Sequence, residues 1–355
     1  RKRILLNNIY GVDIDRQAVE VTKLSLLLKV LEGENDETIS KQLKLFQERA
    51  LPDLGNNIKC GNSLIGWDIL EDNPGLAQEE IERINPFDWD KEFPEIFQRG
   101  GFSVVIGNPP YVRQETLGDL KRYFQKHYQA YHAAADLYTY FIERGISLLQ
   151  DNGIFSYIVA NKWLRSNYGE PLRKWIKTLC IEEIVDFGDL PVFYKTTTYP
   201  CILRIKKSRP DIDFKATKVH TLDFTSLHDY VEEHHYKVAT SSLDEKMWSL
   251  TSKTAQSLLN RLRTIGEPLD KYVNGKIYRG VLTGLNEAFI IDTQTKEKLI
   301  AEDPNSKEVI KPFLSGKNVR RYQPLKERER PLAIHKHWFT FDAKHLFHVI
   351  NSIIK

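Results

Sequence analysis

Four consecutive residues, Asn108-Pro109-Pro110-Tyr111, carry the strongest chemical signal in the sequence. They follow directly on Phe102-Ser103-Val104-Val105-Ile106-Gly107, an apolar run with the character of a strand. Two prolines in a row end a strand, because neither can donate to the ladder. They also hold the chain extended and fix the direction of the Pro109 carbonyl. Within four residues the chain thus offers a side-chain amide oxygen and a directed backbone oxygen, two acceptors beside an aromatic ring. At average residue usage this tetrapeptide arises by chance in a chain of this length with a probability on the order of one in a thousand. The carboxyl end of a strand is also where open α/β sheets place their ligands.

The elements around the tetrad fit such a sheet. Ile9-Tyr10-Gly11-Val12-Asp13 suits a short buried strand. Asp15 can cap a following helix on which Ala18, Val21, Leu24, Leu28 and Leu31 recur at helical spacing. Ile58-Lys59-Cys60 and Phe102–Ile106 read as two further strands. Asp136 can cap a helix carrying Leu137, Tyr140, Phe141 and Leu148, closed at Asp151-Asn152-Gly153. Strands are expected at Ile154–Val159 and Glu183–Phe187, with a helix over Leu172–Leu179 between them. This alternation predicts an α/β fold with a parallel central sheet. The last pair, around Phe193 and Cys201–Ile205, is joined by a short Thr-rich link. A parallel crossover needs a dozen or more residues, so an antiparallel hairpin is expected there. After Lys206 the rhythm changes. Residues 207–270 are polar, with a helix around Thr254–Arg263, and short β-like runs such as Ala288-Phe289-Ile290-Ile291 come later. A domain boundary is placed near residue 245, dividing residues 1–244 from 245–355.

In family order, the motifs resemble those of the gamma-class adenine-specific DNA methyltransferases, in particular the methylase and target-recognition part of type IIG restriction–modification enzymes. Gly11-Val12-Asp13-Ile14-Asp15 looks like the second motif, Gly61-Asn62-Ser63-Leu64 the third, and Ile106–Tyr111 the fourth. Asp136–Gly153 and Ile154–Trp163 resemble the fifth and sixth, and Val192-Phe193 with Tyr199–Ile205 the eighth. The resemblance implies a Rossmann-like methyltransferase sheet with an antiparallel last hairpin, a smaller mixed α+β target-recognition domain, and S-adenosylmethionine as cofactor. Asp13 and Ile14 would lie at the cofactor ribose, and Asn62 and Ser63 near its adenine ring. A carboxylate at the end of such a strand can accept both ribose hydroxyls. Asn62 departs from the Asp often found at its position.

The chemistry implied for the tetrad follows from its residue types. The exocyclic amine of adenine is a poor nucleophile, since its lone pair is delocalised into the ring. Two acceptors on its N–H bonds, from Asn108 and the Pro109 carbonyl, would make the nitrogen more pyramidal and aim the lone pair at the methyl sulfonium. Tyr111 would stack on a base flipped from the duplex, with Phe193 closing the other face. No metal is required and no strong general base is evident. Such catalysis rests on positioning and preorganisation. The family's first motif, a Gly-rich loop, is expected upstream of Arg1, since only nine residues precede Tyr10 and none is glycine.

Composition sets the outer bounds. The chain has 355 residues, 41% hydrophobic and 28% charged, with 51 Lys and Arg against 48 Asp and Glu for a net +3. Cys60, Cys180 and Cys201 form no CxxC pair, which points to a cytoplasmic protein without disulfides and away from a structural zinc. No apolar run spans a bilayer. Charge is distributed unevenly: residues 66–99 hold ten acids against three bases, and residues 315–344 eight bases against three acids. The acidic stretch reads as a solvated insertion. The basic stretch follows Gly280–Phe289 and Ile310–Leu314, which resemble the start of the recognition domain. There Lys317, Arg320 and Arg321 are expected to contact double-stranded DNA. Three alternatives stay open: a bifunctional restriction endonuclease with its nuclease elsewhere in a longer chain, a catalytically incomplete recognition module, and a methyltransferase acting on protein glutamine or RNA.

Overall fold

The computed structural model describes residues 1–32, 52–112, 118, 120–193, 198–275, 290–312 and 332–334. The chain forms two compact units, Arg1–Leu262 and Arg263–Lys355. They divide inside a helix, Lys253–Ile265, that begins a few residues after the boundary placed near residue 245.

In the first unit, β1 (Gly11–Asp13) and β2 (Ile58–Cys60) pair in parallel, with Asp13 opposite Cys60. Between them runs α1 (Arg16–Leu31), whose cap is Asp15: its carboxylate accepts from the Gln17 amide at 2.7 Å. A six-stranded sheet holds the rest. It contains β3 (Phe102–Gly107), β4 (Leu149–Ala160), β5 (Cys180–Asp186), β6 (Pro200–Lys206), β7 (Asp213–Lys218) and β8 (Tyr236–Ala239), in the order β3-β4-β6-β5-β7-β8. β3 and β4 are parallel, as are β5 and β7. β6 runs antiparallel to both β4 and β5. The helices α3 (Tyr138–Ser147) and α4 (Glu170–Ile176) pack on this sheet, and α2 (Lys121–His127) packs on α3 through Phe124 and Tyr140.

Its core uses a face of α3 other than the one the spacing marked, since Tyr140, with Leu137 and Phe141 beside it, belongs to a second cluster with Tyr123 and Phe124. Tyr138, Ile142 and Ile146, on one face of α3, pack with Phe155 and Val159 of β4 and Leu203 of β6, all buried. Truncating any one of the aliphatic members to alanine would cost about 2–5 kcal/mol.

Several expectations are corrected. The Asp151-Asn152-Gly153 turn does not close α3. It lies inside β4, where the register against β3 shifts and Asn152 adopts φ 64°. α3 starts at Tyr138 behind Leu137, and Asp136 contributes its backbone carbonyl to Thr139 instead of a side-chain cap. Phe193 is not in a strand, because Gly188 at φ 59° and Pro191 break up the segment before it. The antiparallel partners of β6 are β5 and β4. Residues 207–250 are richer than a polar tail, adding β7, helix α5 (Leu227–His234) and β8. The acidic stretch is more than a solvated insertion. Ile69, Ile84, Phe87 and Phe93 are buried, and Phe87, Trp89 and Phe93 join Tyr10 and Phe102 in a cluster of ring contacts 5.4–6.1 Å apart.

That cluster places the starts of β1 and β3 side by side, with Tyr10 and Phe102 ring centroids 5.8 Å apart. Yet the two strands belong to separate sheets, each with one edge unpaired among the described residues. On β3, Val104 is 56% exposed and Ile106 76%. A parallel strand normally reads as an apolar run because both faces are covered, so these exposures mark one face of β3 as uncovered.

In the second unit, β9 (Ile290–Ile291), β10 (Ile310–Pro312) and β11 (Leu332–Ile334) form an antiparallel sheet in the order β10-β11-β9. A helix, Thr293–Glu302, follows β9, capped by Asp292 through the Thr295 amide at 2.7 Å.

Candidate active site

Asp13, Asn62 with Ser63, and the tetrad each lie at the carboxyl end of a strand, β1, β2 and β3 respectively. Because Asp13 lies opposite Cys60, the residues following β1 and β2 leave the sheet together, tied by the Gly61 amide donating to the Asp13 carbonyl at 2.8 Å. Gly61 is required by a close approach: an added Cβ would meet the Phe87 side chain at 2.4 Å. The Asp13 side chain is exposed, and its Oδ1 accepts from the Asp15 amide at 2.8 Å. Its other oxygen accepts no hydrogen bond from a described residue. Beside it, Ile14 is 54% exposed. The Asn62 side chain is instead engaged within the protein, Oδ1 accepting from the Leu64 amide at 3.1 Å and Nδ2 donating to the Ile84 carbonyl at 3.0 Å. Ser63 is half-buried, with its carbonyl accepting from the Trp89 indole at 3.1 Å.

The tetrad stands at the end of β3. Gly107 pairs with Tyr157 of β4, and a Cβ on Gly107 would lie 2.8 Å from the Tyr157 ring, so glycine is needed where the strand hands over to Asn108. Asn108 is exposed, Pro109 buried and Pro110 exposed. Among the described residues, neither the Asn108 amide nor the Pro109 carbonyl has a hydrogen-bond partner. Two acceptors are therefore left free at one strand end. The chain beyond is held by the Leu137 amide donating to the Val112 carbonyl at 3.0 Å.

Tyr111, 36% exposed, sits between two rings: Phe193 at 6.3 Å and 63°, and Tyr138 at 6.3 Å and 53°. Burial pushes its hydroxyl up to about 12, with the Cys201 thiol adding to the shift, so Tyr111 is a neutral ring at any working pH. Cys201 is fully buried, and burial raises its thiol far above the ordinary range. The approach to Phe193 is braced by Asp186, whose Oδ1 accepts from Asn161 Nδ2 at 2.8 Å and from the Gly188 amide at 3.0 Å.

Sequence reasoning missed Tyr138 and Tyr168, whose hydroxyls lie 2.9 Å apart behind Tyr111. Tyr138 directly follows Asp136-Leu137, inside a segment already matched to a motif, so a signal for it existed. Tyr168 had none. Lys317, Arg320 and Arg321 lie outside the described residues, as do Gly280–Phe289. Among the described residues no group of three His, Cys, Asp or Glu is arranged to hold a metal, and no helix is long and apolar enough to cross a membrane.

A mixed six-stranded sheet ending in the Asn-Pro-Pro-Tyr tetrad, with a parallel pair of strands ending in an exposed acidic residue, is consistent with a Rossmann-like methyltransferase fold. The family model described as Eco57I restriction-modification methylase matches residues 7–193, more than half of the chain, and the chain belongs to that family. It is 32% identical over 297 residues to the type II restriction enzyme and methyltransferase RM.Eco57I of Escherichia coli, covering 82% of this chain and 28% of that protein. The type II methyltransferase M.PaeR7I of Pseudomonas aeruginosa is 31% identical over 210 residues, 55% of this chain and 36% of the relative. The chain thus spans about a third of the length of these relatives. Among solved structures, the type IIL restriction-modification enzyme MmeI in complex with DNA superposes with a TM-score of 0.51 at 10% identity, covering 99% of this chain and 48% of MmeI. At that identity the likeness concerns the fold.

The residues present fit part of the family's cofactor. An exposed carboxylate with an oxygen to spare, next to an exposed Ile14, suits a ribose and the face of a purine. Asn62 is partly engaged within the protein, its oxygen accepting from Leu64 and its nitrogen donating to Ile84, which leaves one lone pair and one N–H for a further partner.

Proposed function

We propose that this chain carries the catalytic part of a DNA methyltransferase that modifies the exocyclic amine of an adenine turned out of the duplex. The observation that carries the reading is a pair of acceptors at the end of β3, the Asn108 amide and the Pro109 carbonyl, without a partner among the described residues and beside the Tyr111 ring. S-adenosylmethionine, when bound, supplies an electrophilic methyl group on sulfur. Asp13 would hold its ribose, and Ile14 would pack against the nucleoside.

Every other step belongs to the chain's own groups. Asn108 Oδ1 and the Pro109 oxygen each take one N–H of the target amine, which localises the nitrogen lone pair and directs it. Both oxygens are mounted on a strand end and a diproline, so little reorganisation accompanies the reaction, and preorganised polar groups of this kind supply the largest share of many rate enhancements. Tyr111 stacks on one face of the base. A base held between two rings needs them about 7 Å apart and parallel, twice the contact distance of carbon atoms. Phe193 stands at 6.3 Å and 63°, so it must swing as the base enters. In this reading the Gly-rich loop implied by the resemblance belongs on a strand that pairs with the open edges of β1 and β3. Lys317, Arg320 and Arg321 would contact the DNA backbone, with one arginine free to read a guanine edge.

The Escherichia coli relative is described as both restriction enzyme and methyltransferase, which favours a second activity in the intact protein. We place the nuclease outside these 355 residues.

The test is chemical. The intact protein is incubated with S-adenosylmethionine and unmethylated genomic DNA, and the nucleosides are resolved by mass spectrometry. N6-methyladenine in DNA is the expected product. Methyl groups found only in RNA or on protein glutamine would overturn the assignment.

A further inference from the structure

The described residues hold, behind Tyr111, an arrangement that neither the tetrad nor the cofactor site uses. Tyr138, buried to 1% exposure, presents its ring to Tyr111 at 6.3 Å and its hydroxyl to Tyr168 at 2.9 Å. A buried tyrosine hydroxyl requires a partner, and this one is drawn from a separate segment, the turn Asn167–Gly169 after β4. That turn is pinned from below by Arg173. The guanidinium is fully buried with no carboxylate in ion-pair range among the described residues, and it is satisfied by backbone carbonyls alone: Trp163 and Ser166 before the turn, Glu245 and Lys246 far along the chain. Gly169 fits against it so closely that a Cβ there would meet the Trp163 carbonyl at 2.2 Å and Arg173 at 2.6 Å. A buried charge satisfied only by fixed carbonyls tolerates little displacement of them. The turn that carries Tyr168 is therefore rigid, and the rigidity is delivered to Tyr138 through one hydrogen bond.

We propose that Tyr168 is a positioning residue for the target base: through its hydroxyl it holds Tyr138 as the fixed wall against which the tilted Tyr111 ring packs. The proposal rests on the base-stacking role given to Tyr111 above. Phe193 is the ring that moves on base entry, and Tyr138 is the one that does not. Without the Tyr168 hydroxyl the Tyr138 ring gains freedom, Tyr111 loses its backing, and the base amine meets the Asn108 and Pro109 oxygens in a broader range of orientations. Misplacement of this kind is felt in the chemical step far more than in binding.

The experiment is a double-mutant cycle in the intact protein with Tyr168→Phe, Tyr111→Ala and the pair, using unmethylated genomic DNA as methyl acceptor and tritiated S-adenosylmethionine as donor. Tyr168→Phe keeps the ring and removes only the hydroxyl. Its kcat should fall about tenfold, with KM for DNA and for the donor within about twofold, and the melting temperature should drop modestly and equally in both backgrounds because the Tyr138 hydroxyl loses its partner. In the Tyr111→Ala background the same substitution should have no further effect on kcat, which is the mark of a residue acting through Tyr111. A merely structural role would lower kcat in both backgrounds alike. Additive effects, or a Tyr168→Phe protein with wild-type kcat, overturn the proposal while leaving the reading of Tyr111 in place. If Tyr111→Ala itself transfers methyl groups at the wild-type rate, the stacking reading fails first and the proposal falls with it.

Discussion

Replacing Asn108 by alanine should nearly abolish methyl transfer and leave the folded molecule as it was. The structural half of that expectation comes from the side chain's surroundings. Asn108 is exposed and has no hydrogen-bond partner among the described residues, so truncation opens no cavity and orphans no buried group. Surface changes of this kind stay within about 0.5 kcal/mol of wild-type stability. The strand end is set by Gly107 under the Tyr157 ring and by the following diproline, neither of which the substitution touches. The chemical half follows from losing one of two preorganised acceptors, which costs ~3–4 kcal/mol of barrier. At about 1.4 kcal/mol per tenfold this is a fall of two to three powers of ten. The Pro109 carbonyl remains, so the residue of activity should be small and measurable. Tritiated-methyl incorporation into DNA gives the rate, and anisotropy on labelled duplex gives the affinity, which should be nearly unchanged because in the proposed role Asn108 meets only the target base. Activity within tenfold of wild type would refute the assignment of the tetrad as the catalytic element. A parallel loss of duplex affinity or of melting temperature would show that Asn108 does structural work absent from this account.

On the proposed reading, residues 1–355 alone should bind S-adenosylmethionine weakly or not detectably, because the nine residues before Tyr10 hold no glycine with which to cradle the methionine part of the cofactor. Calorimetry decides this, and a micromolar dissociation constant would mean that the cofactor site lies elsewhere. Changing Lys317, Arg320 and Arg321 together to alanine should weaken binding to any duplex and flatten the slope of log affinity against log salt by roughly two to three units, about 0.9 per phosphate contact. Wild-type affinity and slope in the triple variant would make the basic run a solvated face. Acid should loosen the contact between Ile69–Asp72 and α2. Lys126 first, and His127 at 2.8 Å second, hold the Asp72 carboxyl below its ordinary range. A depressed carboxylate contributes stability that is present above the ordinary pKa near 4 and lost as pH falls through the lower folded value. Hydrogen exchange of residues 66–76 should therefore rise below about pH 4, and an unchanged profile down to pH 3 would dismiss the coupling.

What the sequence made legible was local. The start of α1 could be read because Asp15 offers a cap that competes with nothing else, and β3 because six residues without a breaker run into two prolines. β7 and β8 escaped notice because only Phe214, Ala216 and Val238 supply their buried side, among lysines that read as surface. The Asp151-Asn152-Gly153 turn misled for a physical reason as well. Turn residues with left-handed backbone serve equally to end a helix and to bulge a strand, and the choice is made by pairing with β3 and β6, which lie far off in sequence. The same distance hid the partners of β6, since a strand at Phe193 satisfies the local rule for a hairpin and β5 satisfies the global one.

For the site the division is different, and it follows from what each residue must do. The roles proposed for Asn108, Pro109 and Tyr111 rest on groups of adjacent residues, so their spacing is the geometry and a linear reading suffices. The role proposed for Asp13 needs only the strand it ends to be recognised. Asn62 shows the limit of this reasoning: its residue type and its turn both allow a ligand, but Leu64 and Ile84 have first claim on its amide. Tyr138 and Tyr168 lie thirty positions apart and meet only because α3 and the turn after β4 are packed on the same sheet. Arg173 bonds to carbonyls seventy-two and seventy-three positions away. Residues that touch a substrate are chosen by chemistry and leave a signature in sequence. Residues that hold those in place are chosen by distance across the fold, and a chain that must fix two oxygens to within tenths of an ångström needs both kinds.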